Sequence, residues 1–184
     1  MSKSFLMGNE AIGLGAVRAG VKVASGYPGT PSTEVLETVA KHNPGDIYVE
    51  WSVNEKAGME VAAAAAYTGA RTMVTMKQVG LNVASDPLMS LAYVGVKGGM
   101  VVVVADDPGP ISSQTEQDTR RFGQFSKLPV FDPSSPEEAY EMIKEFGEEQ
   151  IRVKRLAALV SQLILDRMFE EDDLLLHLAG RVFS

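Results

Sequence analysis

The sequence contains no cysteine in its 184 residues. Disulfides, zinc–thiolate centres, cysteine nucleophiles and iron–sulfur clusters held by the chain's own thiolates are therefore excluded. Histidine is nearly as scarce, with only His42 and His177. A histidine-rich metal centre is excluded, and a Ser-His-Asp triad would have to recruit one of those two. Positive charge is in the minority, 17 Lys and Arg against 24 Asp and Glu, for a net charge of −7. No basic stretch stands out, which argues against a protein that tracks nucleic-acid phosphates. Apolar runs stop well short of the roughly 18–20 residues of a membrane-spanning helix. Residues 1–8 show neither a long apolar stretch nor a cleavage pattern, so a cytoplasmic protein is expected. No Gly-Lys-Ser/Thr phosphate loop occurs.

What is present is the balance of a soluble globular chain, 45% hydrophobic and 22% charged. Short apolar runs at 21–25, 47–51, 72–76, 100–105 and 129–131 read as strands. Helical patterns at 9–19, 32–42, 54–67, 83–96 and 135–146 fall between them, with Asn54 as a cap, Pro87 as a candidate break and Pro136 in a first turn. Val101, Val102, Val103 and Val104 are consecutive, the mark of a strand buried on both faces. The alternation predicts an α/β fold: a parallel sheet of about five strands with helices on both faces and right-handed crossovers, over residues 1–146. In such sheets ligands bind outside the carboxyl ends of the strands. The Gly-, Pro- and polar-rich segments 26–32, 52–55, 77–82 and 106–114 all follow strands and share that edge.

Residues 147–184 read differently. Leu156, Leu159, Val160, Leu163 and Ile164 follow a helical stripe over 151–169, and a second helix is expected over 174–182 after the acidic break at 170–173. This helical tail is either a hairpin packed on its own domain or a grafted, oligomer-forming segment.

Single motifs have two readings each. Gly13-Leu14-Gly15 resembles part of a dinucleotide fingerprint, but it lies inside a helical pattern with no strand before it, so close helix packing is the better reading. Asp106 and Asp107 form either a carboxylate pair for a metal or a solvated turn. Glu55 opens an Ala-rich helix just past a strand. Such a residue normally complements the helix dipole at the surface. This helix is too apolar to be a free surface, however, and a carboxyl at an apolar seam is suited to exchanging a proton with a ligand nitrogen.

The motifs occur in a specific order: Gly8-Asn9-Glu10-Ala11, Gly26-Tyr27-Pro28-Gly29-Thr30-Pro31-Ser32, Asn54-Glu55-Lys56-Ala57, Lys77-Gln78-Val79-Gly80-Leu81-Asn82, and Asp106-Asp107-Pro108-Gly109 through Ser112-Ser113-Gln114-Thr115-Glu116-Gln117-Asp118-Thr119-Arg120. Together, over residues 4–144, they resemble the N-terminal pyrimidine-binding domain of the indolepyruvate ferredoxin oxidoreductase alpha subunit, among the thiamine-diphosphate 2-oxoacid:ferredoxin oxidoreductases. The resemblance implies a division of labour, with the cofactor lying between this domain and a separate diphosphate-binding domain or second subunit. It implies that Glu55 hydrogen-bonds the aminopyrimidine nitrogen and is the catalytic residue. It places the cofactor against Pro28, Gly29, Gly80 and Asn82, and the substrate against Thr30. It further implies decarboxylation of aryl 2-oxo acids to acyl-CoA, with electrons passed to ferredoxin. The departures are clear. The Gly-Asp-Gly magnesium motif and the cluster cysteines are missing, Ile111 stands where family members often have His, and the match ends near Glu145. A truncated domain, inactive alone, is expected. The alternative is an engineered or recombined scaffold whose helical tail drives homo-oligomer assembly.

Overall fold

The structure, a computed structural model, describes residues 5–153 and 156–162, with side chains through residue 145. In chain order the elements are α1 (Gly8–Arg18), β1 (Val23–Gly26), α2 (Thr33–Lys41), β2 (Tyr48–Trp51), α3 (Glu55–Thr68), β3 (Thr72–Lys77), α4 (Gln78–Val83), α5 (Ser85–Val94), β4 (Met100–Asp106), α6 (Arg120–Ser126), β5 (Val130–Phe131), α7 (Pro136–Val153) and β6 (Leu156–Gln162).

The valine run explains the centre of the molecule. All seven residues of β4 are buried. Successive side chains point to opposite faces of a strand. Val101 and Val103 accordingly join Met73, Ile12, Val35, Leu36 and Ile143 in one core, while Met100, Val102 and Val104 join Val74, Met76, Met59, Leu81 and Leu91 in the other. Helices α1, α2 and α7 supply the first layer and α3, α4 and α5 the second. Each fully buried large side chain contributes about 1.5–3 kcal/mol, so the two cores hold helices on both faces as expected. The sheet has six strands in the order β2-β1-β3-β4-β6-β5, and every pairing is parallel.

The glycines of α1 are packing glycines, as the sequence suggested. A Cβ on Gly13 would lie 2.7 Å from Thr38 Cβ and from the Val35 carbonyl of α2, and one on Gly15 would lie 2.9 Å from the Tyr140 carbonyl of α7. Helix α1 is thus wedged between two neighbours with no room for side chains at the contact.

Several boundaries differ from the sequence reading. Residues 78–83, expected as loop, form α4, and the break before α5 falls at Ala84 rather than Pro87. Pro87 sits in the first turn of α5, where a missing N–H breaks no helical bond. Helix α6 was not anticipated. Helix α7 continues past 147 to Val153. The largest correction concerns the tail: residues 156–162, expected within a helix over 151–169, are strand β6, parallel to β4 from Met100↔Leu156 to Asp106↔Gln162 and paired with β5 through Val130↔Ala158 and Phe131↔Leu159. An apolar run of this length does not distinguish helix from buried strand by period alone. The decision falls to the open edge of β4, whose backbone groups need partners. The second expected helix, over 174–182, lies outside the described residues.

Candidate functional site

The carboxyl ends of β1, β2, β3 and β4 bring the four polar segments together. At the end of β1, a Cβ on Gly26 would lie 2.8 Å from both Thr75 Cγ2 and the Thr75 carbonyl, so only glycine lets this backbone press against β3. The turn that follows is closed by its own side chains. Ser32 donates to the Gly29 carbonyl through its N–H (2.7 Å) and its hydroxyl (2.8 Å), and Thr33 Oγ1 accepts from the Gly29 N–H at 3.0 Å. The Thr30–Pro31 peptide is cis. From the start of α1, the Asn9 amide donates to the Pro31 carbonyl and, at 3.2 Å, to Glu34 Oε2. Pro28 and Thr30 are exposed on this turn and Gly29 is half-buried.

Glu55 is the first residue of α3. Asn54 caps the helix, its Oδ1 accepting from the Ala57 N–H at 2.9 Å. Ser25 Oγ donates to the Gly58 carbonyl at 2.7 Å, and Gly58 carries no side chain, so its Cβ position is 3.5 Å from Gly26 Cα. The helix start is therefore drawn onto β1, which carries Glu55 inward to 7% exposure. Its carboxyl lies in the notch left by Gly80, where a Cβ would be 2.6 Å from both Glu55 Cγ and Oε1. Among the described residues the Glu55 carboxyl has no hydrogen-bond partner.

At the end of β3, the methylenes of Lys77 run beneath Gly29: a Cβ there would be 3.0 Å from Lys77 Cδ and 3.2 Å from Cγ. The Lys77 ammonium donates to Gln114 Oε1 at 3.0 Å. Gln78 is fully buried and donates to Ser113 Oγ (2.6 Å) and the Thr115 carbonyl (2.8 Å), while its own side-chain oxygen is buried without a partner among the described residues. Gln117 donates to the Gln78 carbonyl at 3.2 Å and accepts from Asn82 Nδ2 at 2.9 Å.

Two aspartates at the end of β4 fold the loop that meets these groups. Asp107 accepts from the backbone N–H groups of Ile111 (3.1 Å), Ser112 (3.0 Å) and Ser113 (2.8 Å) and from Ser113 Oγ (2.9 Å). The Ser112 and Ser113 N–H groups above all stabilise the charged form and hold its carboxyl down to about 2. Asp106 accepts from the Thr119 N–H (3.1 Å) and hydroxyl (2.8 Å), and burial pushes its carboxyl up. The pair is not a solvated turn, because both aspartates are buried and hydrogen-bonded to residues 111–119. Arg120 extends the frame by pairing with Asp118 (2.8 Å) and Asp132 (3.0 Å).

Of the residues singled out in the sequence, the structure brings Glu55 and Gly80 into contact. Pro28, Gly29 and Thr30 share one turn on the same edge, and Asn82 is joined to the 107–119 loop through Gln117. Asn9, Lys77, Gln78 and Gln117 lie within the sequence motifs, but only contacts distant in sequence reveal an individual role for them. An open groove of about 790 Å³ runs along α6 and β5, lined by Gln124 and Lys127 among others, and touches the frame described above only at Arg120 and Asp132. The arrangement offers a buried carboxyl seated on Gly80, a lysine stem seated under Gly29, and the lysine's ammonium at the same edge.

The family model for pyruvate flavodoxin/ferredoxin oxidoreductase, thiamine diphosphate-binding, matches residues 14–146. Indolepyruvate oxidoreductase subunit IorA of Archaeoglobus fulgidus is 52% identical over 147 residues, covering 77% of this chain and 24% of that protein. The same subunit of Methanothermobacter thermautotrophicus is 52% identical over 155 residues, covering 79% and 25%. Among solved structures, a 2-oxoglutarate:ferredoxin oxidoreductase from Magnetococcus marinus shares the fold, with a TM-score of 0.74 and 24% identity over 87% of this chain and 30% of that one. The chain thus spans about a quarter of the length of the curated relatives it matches.

Proposed function

Because the chain belongs to the thiamine-diphosphate-binding domain family of the pyruvate flavodoxin/ferredoxin oxidoreductases, we propose that its sheet edge holds the aminopyrimidine half of thiamine diphosphate in a cytoplasmic oxidoreductase of aryl 2-oxo acids such as indolepyruvate. The observation that carries this reading is the Glu55 carboxyl, buried, without a hydrogen-bond partner among the described residues, and seated in the Gly80 notch. A buried carboxyl without a partner is costly unless something else completes it. A ring nitrogen is a fitting complement, since it can share the carboxyl's proton.

Each residue then has a task. Glu55 holds or transfers a proton at the pyrimidine nitrogen. Gly29 and Gly80 lie on the edge that faces the ring, Gly80 seating the Glu55 carboxyl and Gly29 the Lys77 stem. Pro28 and Asn82 bound it, and the exposed hydroxyl of Thr30 contacts the substrate. When bound, thiamine diphosphate supplies the thiazolium carbon that adds to the 2-oxo group. A diphosphate-binding domain or second subunit carrying a Gly-Asp-Gly motif provides the magnesium and phosphate half, and coenzyme A and ferredoxin receive the acyl group and the electrons. Two IorA relatives named for indolepyruvate support the aryl substrate. An engineered scaffold assembled as a homo-oligomer through its tail is the weaker reading, because Leu156, Leu159 and Val160 of its helical stripe lie in β6.

The test is the variant Glu55→Gln in the assembled oxidoreductase. A general acid–base contribution predicts a loss in turnover on the order of 10²–10⁴-fold, together with weaker binding of thiamine itself. Unchanged turnover removes Glu55 from the mechanism.

A further inference from the structure

We propose that Lys77 is an anion-binding residue of this site, its ammonium taking the carboxylate of the 2-oxo acid substrate. The proposal deepens the function given above and rests on it for the location of the ligand. It stands on three observations. First, the last residue of β3 lies at the ligand edge, and its stem is threaded under Gly29, with the Gly29 Cβ position 3.0–3.4 Å from Cδ, Cγ and Cε. The glycine is therefore what makes room for the lysine, and the lysine lies directly below the turn that carries Thr30.

Second, the ammonium is oriented without being neutralised. Its partner is Gln114 Oε1, a neutral amide oxygen, at 3.0 Å. Among the described residues Lys77 is in no ion pair. Other cations do meet carboxylates: Lys22 pairs with Asp46, Lys56 with Asp86, Lys144 with Glu141, and Arg120 with Asp118 and Asp132. Arg71, also half-buried, likewise meets a neutral acceptor, the Ala19 carbonyl, but it precedes β3, whereas Lys77 stands at the carboxyl end of the strand, where the polar segments gather. An ammonium has three donors; one is spent on Gln114 and two remain.

Third, the acceptor itself is held. Gln114 belongs to the loop that Asp107 gathers by its three backbone bonds, and the neighbouring Ser113 and Thr115 are bonded to the buried Gln78. Two elements, β3 and the 107–119 loop, thus fix the ammonium from below and beside. The two remaining donors suit a carboxylate or a phosphate oxygen, and proximity to Thr30 favours the carboxylate.

The full chain is titrated with phenylpyruvate, with inorganic pyrophosphate and with thiamine, followed by ligand-observed NMR at low and at raised salt. Lys77→Met keeps the stem under Gly29 and removes the charge; Lys77→Arg keeps the charge. Phenylpyruvate affinity is expected to fall about tenfold in Lys77→Met, to recover in Lys77→Arg, and to weaken with salt in the unmodified chain. If pyrophosphate alone shows this dependence, Lys77 still binds an anion, but that anion is the cofactor's diphosphate and the assignment to substrate is overturned. If neither anion depends on the charge at 77, the proposal fails. Salt dependence in the unmodified chain and the arginine variant decide the matter should Lys77→Met not fold. Thiamine, which carries no phosphate, reports on Glu55 alone, so failure of the pyrimidine reading is seen separately.

Discussion

A carboxylate on the first turn of a helix ordinarily faces water and complements the helix dipole. Glu55 holds that position and is nevertheless 7% exposed. Gly80 is the reason, since nothing larger leaves space for its carboxyl. This predicts an unusual trade in Gly80→Ala. Alanine is favoured over glycine inside a helix by roughly 0.5–1 kcal/mol, and the clash at 2.6 Å falls on a side chain that can swing away. The melting temperature should change little, while thiamine binding should fall because Glu55 is displaced; retained affinity with an intact fold would show that the notch does not position the carboxyl. Asp107 gives a pH prediction of definite sign. Its folded carboxyl lies near 2, below the ordinary 3.8. A depressed carboxylate contributes stability that is present above the unfolded value and is lost as pH falls through the folded one. Acid unfolding should therefore steepen between about pH 4 and 2 in the unmodified chain, and circular dichroism of Asp107→Asn should show a lower plateau and a shallower fall across that window.

At the scale of elements, two short pieces matter most. Helix α4 turns residues 78–83 from a linker into a platform: Gln78 faces the 107–119 loop, Gly80 faces Glu55, and Leu81 enters the core beside Met76. One turn of helix thereby joins the acid on α3 to the loop after β4. Strand β6 has a different importance, because it lies between β4 and β5 and pairs with both. A strand with partners on each side tolerates proline poorly. Ala158→Pro, opposite Val102 and Val130, removes a ladder N–H, should cost about 1–3 kcal/mol for the backbone group left unpaired, and should lower the urea midpoint. A midpoint equal to that of the unmodified chain would remove residues 156–162 from the sheet.

For the molecule as a whole, the polar groups gather on one open edge of a sheet whose two faces are already covered. Such an edge can hold one side of a ligand. A second body is needed to exclude water from the other, and exclusion of water is what gives buried charges their strength. The purified chain alone is accordingly expected to show no ferredoxin-linked turnover of an aryl 2-oxo acid, and addition of a family partner bearing the Gly-Asp-Gly motif should restore it. Turnover by the chain alone, measured by reduction of a ferredoxin or viologen dye, would overturn the half-site reading.

The amino-acid sequence by itself determined the class of the fold and pointed to the sheet edge that carries the candidate site. Four consecutive β-branched valines between turn residues favour a strand covered on both faces, and the glycines, prolines and polar residues that follow the strands mark one edge of the sheet. Glu55 was visible because it breaks the composition of an Ala-rich helix, and Gly13 and Gly15 because helix packing needs small residues at fixed spacing. Tertiary structure alone decided the rest. Leu156 to Val160 fits a helical stripe as well as a buried strand, and the choice rests on the unpaired edge of β4. Asp106 and Asp107, equivalent in sequence, part company because one is buried beside Thr119 and the other gathers three N–H groups. Lys77 is one of 17 cations in the sequence; what singles it out is its place at the carboxyl end of β3, with its stem beneath Gly29 and its ammonium on the Gln114 amide. Periodicity reports which face of an element is apolar. Which charged groups are left uncompensated depends on contacts between residues dozens of positions apart, and those exist only once the chain has folded.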